Sequence, residues 1–286
     1  MPLFRRTDGD PLRGLSPVRR IVPFLQPTRN ESIVYHESTF PVGAAREWLH
    51  AWNAAHPGRR ATLFHLLAFG CARALHERPE LNRFASGGLL YQRRGVQLAF
   101  VAKRELSDRG EMATVKIEVP ASEPFAAFVD RITAAIEGAR GAPRAIDKEV
   151  ALFLHVPPTL LRAAVRLVVA LDRWNLLPGW FTRDDPMFCS LFLANLGSAG
   201  ISDAYHHLYE YGTCSLFGAM SAARKAPVVE GDAVVVREIL QVRWSFDERI
   251  HDAFYAARSL ALVERLMAAP AEHLGSPSGP GAAAPA

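Results

Sequence analysis

Cysteine is scarce in this chain: Cys71, Cys189 and Cys214 are the only three in 286 residues, far apart and each within an apolar run. No CxxC pair or His/Cys cluster accompanies them and no secretory leader is read. Neither a disulfide framework nor a metal site is therefore expected, and a reduced, cytoplasmic location is the default. No uninterrupted apolar stretch reaches about twenty residues, so no spanning helix is predicted. A Gly-rich phosphate loop and a Ser-centred nucleophile elbow are both missing, and Gly197-Ser198-Ala199-Gly200 is too short and misplaced for a dinucleotide fingerprint. Neither sign of charge dominates, with 33 basic against 29 acidic residues and a net charge of +4. Basic residues at Arg5-Arg6, Arg19-Arg20, Arg93-Arg94 and Lys103-Arg104 read as solvated surface or as the rim of an anionic-ligand site, and no nucleic-acid partner is expected.

What is present is an ordinary globular composition, 49% hydrophobic and 22% charged, enough for one large core. Ser16-Pro17 opens a short helix that Pro23 should curtail. Residues 32–39 are β-prone. Helical spacing recurs over 43–56 (Ala45, Trp48, Leu49, Trp52), over 62–76 with Thr62 as N-cap, and over 124–140 (Phe125, Phe128, Val129, Ile132). Strands are predicted at 89–92, 96–103, 112–119 and 214–220, and a long one runs from Ala233 to Trp244 ahead of a closing helix at 251–267. Residues 150–156 and 160–174 are apolar around most of their circumference. They read either as buried helices at a core or subunit interface or as a helix on a membrane surface, with Arg162, Arg166 and Arg173 near one face. Residues 1–15 read as a flexible arm, 16–270 as the core domain and 271–286 as a disordered Gly/Pro/Ala-rich tail.

Three motifs carry a resemblance. Ser245-Phe246-Asp247-Glu248-Arg249-Ile250-His251-Asp252-Ala253 joins the long strand to the last helix. Pro79-Glu80-Leu81-Asn82 follows the second strong helix, and Ala194-Asn195-Leu196-Gly197 ends a buried strand that starts near Met187. Together they resemble the catalytic core of the dihydrolipoyl acyltransferases of 2-oxoacid dehydrogenase complexes and, more distantly, the chloramphenicol acetyltransferases. In that family the first motif reads Ser-Phe-Asp-His-Arg-x-x-Asp-Gly, and its His takes the proton from the attacking thiol or hydroxyl. Glu248 stands at the His position and Ala253 at the Gly. The strand-end motif reads Ser-Asn-x-Gly, and its Ser donates a hydrogen bond to the oxyanion. Ala194 stands there, and a methyl group cannot donate; losing one such donor costs about a hundred- to a thousand-fold in rate. His206-His207 is similar to the double His of the chloramphenicol acetyltransferases, but it follows another strand and lacks the downstream Asp-Gly, so it reads as a loop or interface pair.

The resemblance spans roughly residues 15 to 270. It implies an α+β two-layer sandwich that forms trimers with active sites between subunits. It also implies coenzyme A or an acyl-CoA as ligand near Asn195, Gly197 and Arg249, and 2-oxoacid dehydrogenase-like components as partners, with cage assembly through 150–181 or the last helix. Asp252 and Arg249 are expected to hold the turn. Two functional readings follow. One is a catalytically degenerate core protein serving as a homo-oligomeric scaffold. The other is an atypical acyl-CoA-dependent acyltransferase with Glu248 or His251 as base.

Overall fold

The computed structural model describes residues 6–103, 112–141 and 156–279. Its spine is the long strand of the sequence reading, which we number β10, Ala233–Asp247. Along it Leu240, Val242, Trp244 and Phe246 alternate with Gln241, Arg243 and Ser245, so the two sets face opposite sides of a sheet. β10 is flanked by β2 (Ile33–Pro41) and β8 (Leu216–Met220), both antiparallel to it. Beyond β8 lie β7 (Leu191–Asn195), β5 (Gln97–Lys103) and β6 (Met112–Glu118), giving the order β2-β10-β8-β7-β5-β6. The first half of β10 leaves this sheet as a two-stranded ribbon with β9 (Arg224–Glu230).

Four helices cover one face. α2 (Gly43–Ala55) buries Ala45, Trp48, Leu49 and Trp52, the i, i+3, i+4, i+7 stripe of the sequence. α3 (Leu63–Glu77) is buried almost throughout, and α4 (Phe125–Gly141) presents Phe125, Phe128, Val129 and Ile132. α7 (Ala253–Ala268) closes the layer, and Gly70 of α3 lets Val263 and Leu266 approach to 3.5–3.6 Å of where a Cβ would stand. Edge-to-face contacts among Trp48, Trp52, Phe69, Phe125 and Phe128 fill the centre. The Trp244 ring lies over Gly218 on the neighbouring strand, 2.7 Å from an ideal Cβ there, so only glycine fits. The opposite face carries a smaller cluster of Ala99, Cys189, Phe192, Leu208, Cys214, Phe217 and Ala219, covered by the irregular segment 201–215. The expected α+β two-layer sandwich is the fold observed.

Two ends differ from expectation. Within the predicted arm, Arg6 is buried and β1 (Gly9–Pro11) pairs with β4 (Leu89–Arg93), which pairs in turn with β3 (Arg83–Ser86). Ion pairs hold this arm: Arg6 contacts Asp8 at 2.8 Å and Asp172 at 2.7 Å, and its guanidinium stacks 5.0 Å from the Phe84 ring. No hydrophobic alternation marks it, which is why the sequence reads as disorder. The predicted tail begins with a further helix, α8 (Pro270–Leu274), whose Pro270 and Leu274 are buried while Trp48 Nε1 donates to Gly275 O at 3.0 Å.

The apolar 160–174 run is α5 (Pro158–Arg173), and none of its residues is buried, so the reading as a core helix is corrected. It is followed by the short α6 (Gly179–Asp184). Residues 150–155 of the same expectation lie outside the described residues. At the other end, α1 (Pro17–Leu25) starts as expected, with the Ser16 hydroxyl accepting from Arg19 N, and ends two residues after Pro23. A Gly87-Gly88 turn with positive φ at both residues joins β3 to β4, the geometry of a tight hairpin.

Candidate functional site

β7 delivers Ala194 and Asn195 to the edge of the helix layer. There the Asn195 side chain accepts from Ser198 N at 3.2 Å and caps a single 3₁₀ turn. Gly197 packs so closely on the Ser221 carbonyl, 2.4 Å from an ideal Cβ, that a side chain is excluded. An open groove of about 750 Å³ lies between this turn, the 220–223 segment, α2 and the start of α3. Arg46, His50 and Arg60 rim it, and among the described residues no carboxylate lines it. Arg46 is tied to Glu238 at 2.6 Å. Thr62 N-caps α3 into the same groove, with His65 Nδ1 accepting from Thr62 N at 3.3 Å and contacting its hydroxyl at 2.9 Å. A basic rim and a helix N-terminus together favour an anionic ligand. Burial holds the His65 imidazole down to a pKa of about 4, so it is neutral and available as an acceptor.

The second region is the turn after β10, and every group in it is engaged. Asp247 and Arg249 form a bidentate pair at 2.8 and 2.7 Å, with side chains 0% and 4% exposed. Asp247 also accepts from Ser32 Oγ at 2.9 Å, and Arg249 Nη1 donates to Gln26 O at 3.0 Å. Glu248 is half-buried, and its carboxylate accepts from Gln26 Nε2 at 2.7 Å. Its amide donates to Ser32 O at 2.9 Å, and its carbonyl accepts from Arg19. His251 places Nε2 2.7 Å from Glu80, and its Nδ1 accepts from Asp252 N at 2.9 Å, so both ring nitrogens are occupied. Asp252 caps α7 by accepting from Tyr255 N at 2.9 Å and pairs with Arg19 at 3.1 Å. The Tyr255 amide first, then the neighbouring His251 ring and Arg19 guanidinium, hold its carboxyl below the usual range.

Asn195 and Gly197 therefore meet in the groove, whereas Arg249 is buried away from it as the internal partner of Asp247. Asp252 caps α7 and has Arg19 as its cation. Ala194 pairs with Ala219, and Ala219 with Arg243 of β10. Glu248 lies five residues beyond Arg243, just past the end of β10, and two strands across, which puts Ala194 and Glu248 roughly 15–20 Å apart within one chain. His206 and His207 lie in the 201–215 segment. The His206 ring stacks on Phe217 at 4.0 Å, and its Nδ1 contacts His207 O at 2.6 Å. Sequence reasoning missed Gln26, Glu80, Asp247 and the groove wall at Arg46, His50 and Arg60. Only Glu80 and Asp247 had a signal, because both belong to the motifs already noted.

Residues 182–274 match the family model of the 2-oxoacid dehydrogenases acyltransferase (catalytic domain). No curated protein matches the chain. Among solved structures, the cubic core of the pyruvate dehydrogenase multienzyme complex is similar at 17% identity and TM-score 0.59, over 91% of this chain and 93% of that one. A probable dihydrolipoamide acetyltransferase from Listeria monocytogenes gives 13% identity and TM-score 0.58, over 90% and 94%. A chloramphenicol acetyltransferase gives 13% identity and TM-score 0.53, over 91% and 99%. The fold is that of these acyltransferase cores.

Proposed function

We propose that this protein is a catalytically degenerate acyltransferase-like core, a homotrimeric scaffold that retains a groove for coenzyme A or an acyl-CoA. The observation that carries the reading is the pair of replaced groups. Ala194 offers a methyl where an oxyanion donor is needed, and the Glu248 carboxylate is held by Gln26 instead of facing an open channel. Acyl transfer needs both a base and an oxyanion donor in one place. The separation of the two positions within one chain supports assembly, because only a second copy could bring them together. The β9–β10 ribbon supports it too: Val229, Val234 and Val236 project from one of its faces with two thirds or more of their surface exposed. The partners such an assembly would organise are 2-oxoacid dehydrogenase-like components. His251 is not favoured as a substitute base, since both its nitrogens are taken.

The test combines turnover, binding and mass. Thiol release from acetyl-CoA with dihydrolipoamide as acceptor is expected to be silent for the wild type and to appear in Ala194→Ser/Glu248→His. Calorimetry should register coenzyme A binding, weakened by Arg60→Ala, and the particle should have three times the 31.5 kDa chain mass. Wild-type turnover that disappears in Glu248→Gln would replace this reading with a working acyltransferase that uses a carboxylate base. A monomer in solution would remove the scaffold.

A further inference from the structure

The exposed hydrophobic side chains of this molecule are not scattered. Ten of the eighteen large ones exposed among the described residues belong to α1 and to the α5–α6 region, including Ile21, Phe24, Leu160, Leu167, Trp174 and Trp180. The two tryptophans are 61% and 68% exposed, against 6% or less for Trp48, Trp52 and Trp244. The two regions meet at the β3–β4 turn. The Phe24 ring lies 2.8 Å from an ideal Cβ at Gly88, and the Arg173 carbonyl 2.3 Å from one at Gly87.

Charge follows the same map. Residues 17–25 and 158–184, which run to the end of α6, hold six arginines against two carboxylates, Asp172, which is taken up by Arg6, and Asp184. They therefore carry +4, and the rest of the chain sums to zero. On α5 the exposed apolar residues Leu160, Ala163, Leu167 and Ala170 repeat at helical spacing beside Arg162, Arg166 and Arg173. Indole, aliphatic and guanidinium groups in this arrangement match the boundary between headgroups and acyl chains of an anionic bilayer. A second copy of the same face would bring like charges together, which argues against self-pairing here.

We propose that the α1/α5–α6 face docks the protein on anionic phospholipid membranes, lying on the surface without crossing it. This goes beyond the scaffold reading and does not depend on it, because vesicle binding and acyl transfer are separate readouts. The probes are phosphatidylcholine vesicles with and without phosphatidylglycerol, with the full-length protein followed by co-sedimentation and tryptophan emission. Binding is expected only to the anionic vesicles, weakening as salt rises, with a blue shift contributed by Trp174 and Trp180. Arg162→Glu/Arg166→Glu should lower affinity at least about tenfold. Leu160→Asp/Leu167→Asp should abolish the blue shift while leaving the melting temperature and the particle mass unchanged. No binding to the anionic vesicles, or equal binding to neutral ones, would overturn the proposal. So would a drop in particle mass in the leucine variant, which would assign this face to contacts between copies.

Discussion

The two halves of the candidate site have fared differently. At the 194–198 turn a groove stays open, basic at its rim, with a helix N-terminus directed into it. At the 247–252 turn each charged group has found a partner inside the chain, and no side chain is left facing outward as a base. The turn is therefore not loose. The Glu248 carboxylate belongs to a network that ties α1, β2, β10 and α7 together. Of the two turns, only the 194–198 side borders an open groove.

The strongest way to break this contrast is to remove the centre of the network. Asp247→Ala strands Arg249 as a buried, unpaired cation and removes the acceptor for Ser32. A loss of about 3–5 kcal/mol in denaturant unfolding is expected. If the loss is below about 1 kcal/mol, the turn is held by its neighbours and the ion pair is incidental.

The groove side should respond to acid instead. His65 is neutral in the folded state, with its pKa held near 4 by burial, and it ionises near 6.5 when unfolded. The unfolded chain thus binds the extra proton first as pH falls. Stability is full above about pH 6.5 and declines towards pH 4 by about 3 kcal/mol, then stops responding to this group. His65→Gln keeps an acceptor for the Thr62 cap and removes the titration. Melting curves across this range should be flatter for the variant; an unchanged slope would place the acid sensitivity elsewhere.

The sequence was most legible where apolar periodicity is strong. The buried stripes of α2 and α4 and the alternation of β10 could be read directly, and they determine the two-layer fold. The motifs located both halves of the site, because Asn195 and Asp252 perform local capping that a few residues can encode. What stayed hidden depends on partners far along the chain. Arg249 read both as a turn residue and as a ligand contact, because its bond to the Gln26 carbonyl spans 223 residues. Likewise, Glu248 meets Gln26 only once α1 packs beside the turn. The N-terminal strand escaped notice because Arg6, Asp8 and Asp172 hold it by charge across more than 160 residues.

The smallest expected effect sharpens the contrast most. Glu248→Gln removes a charge and nearly nothing else, since a glutamine carbonyl can still accept from Gln26 Nε2. A neutral bond replacing a charge-assisted one should cost no more than about 1 kcal/mol. If Glu248 is a structural acceptor, this variant keeps the coenzyme A affinity, the particle mass and the silence of the wild type in the thiol-release assay. A Glu248→Ala companion, which leaves Gln26 without its acceptor, should then be the less stable of the two. A Glu248→Gln variant more stable than the wild type would mean that the carboxylate charge itself is strained in this position. It would then have been retained for a purpose other than folding, and catalysis by Glu248 would again be the stronger reading.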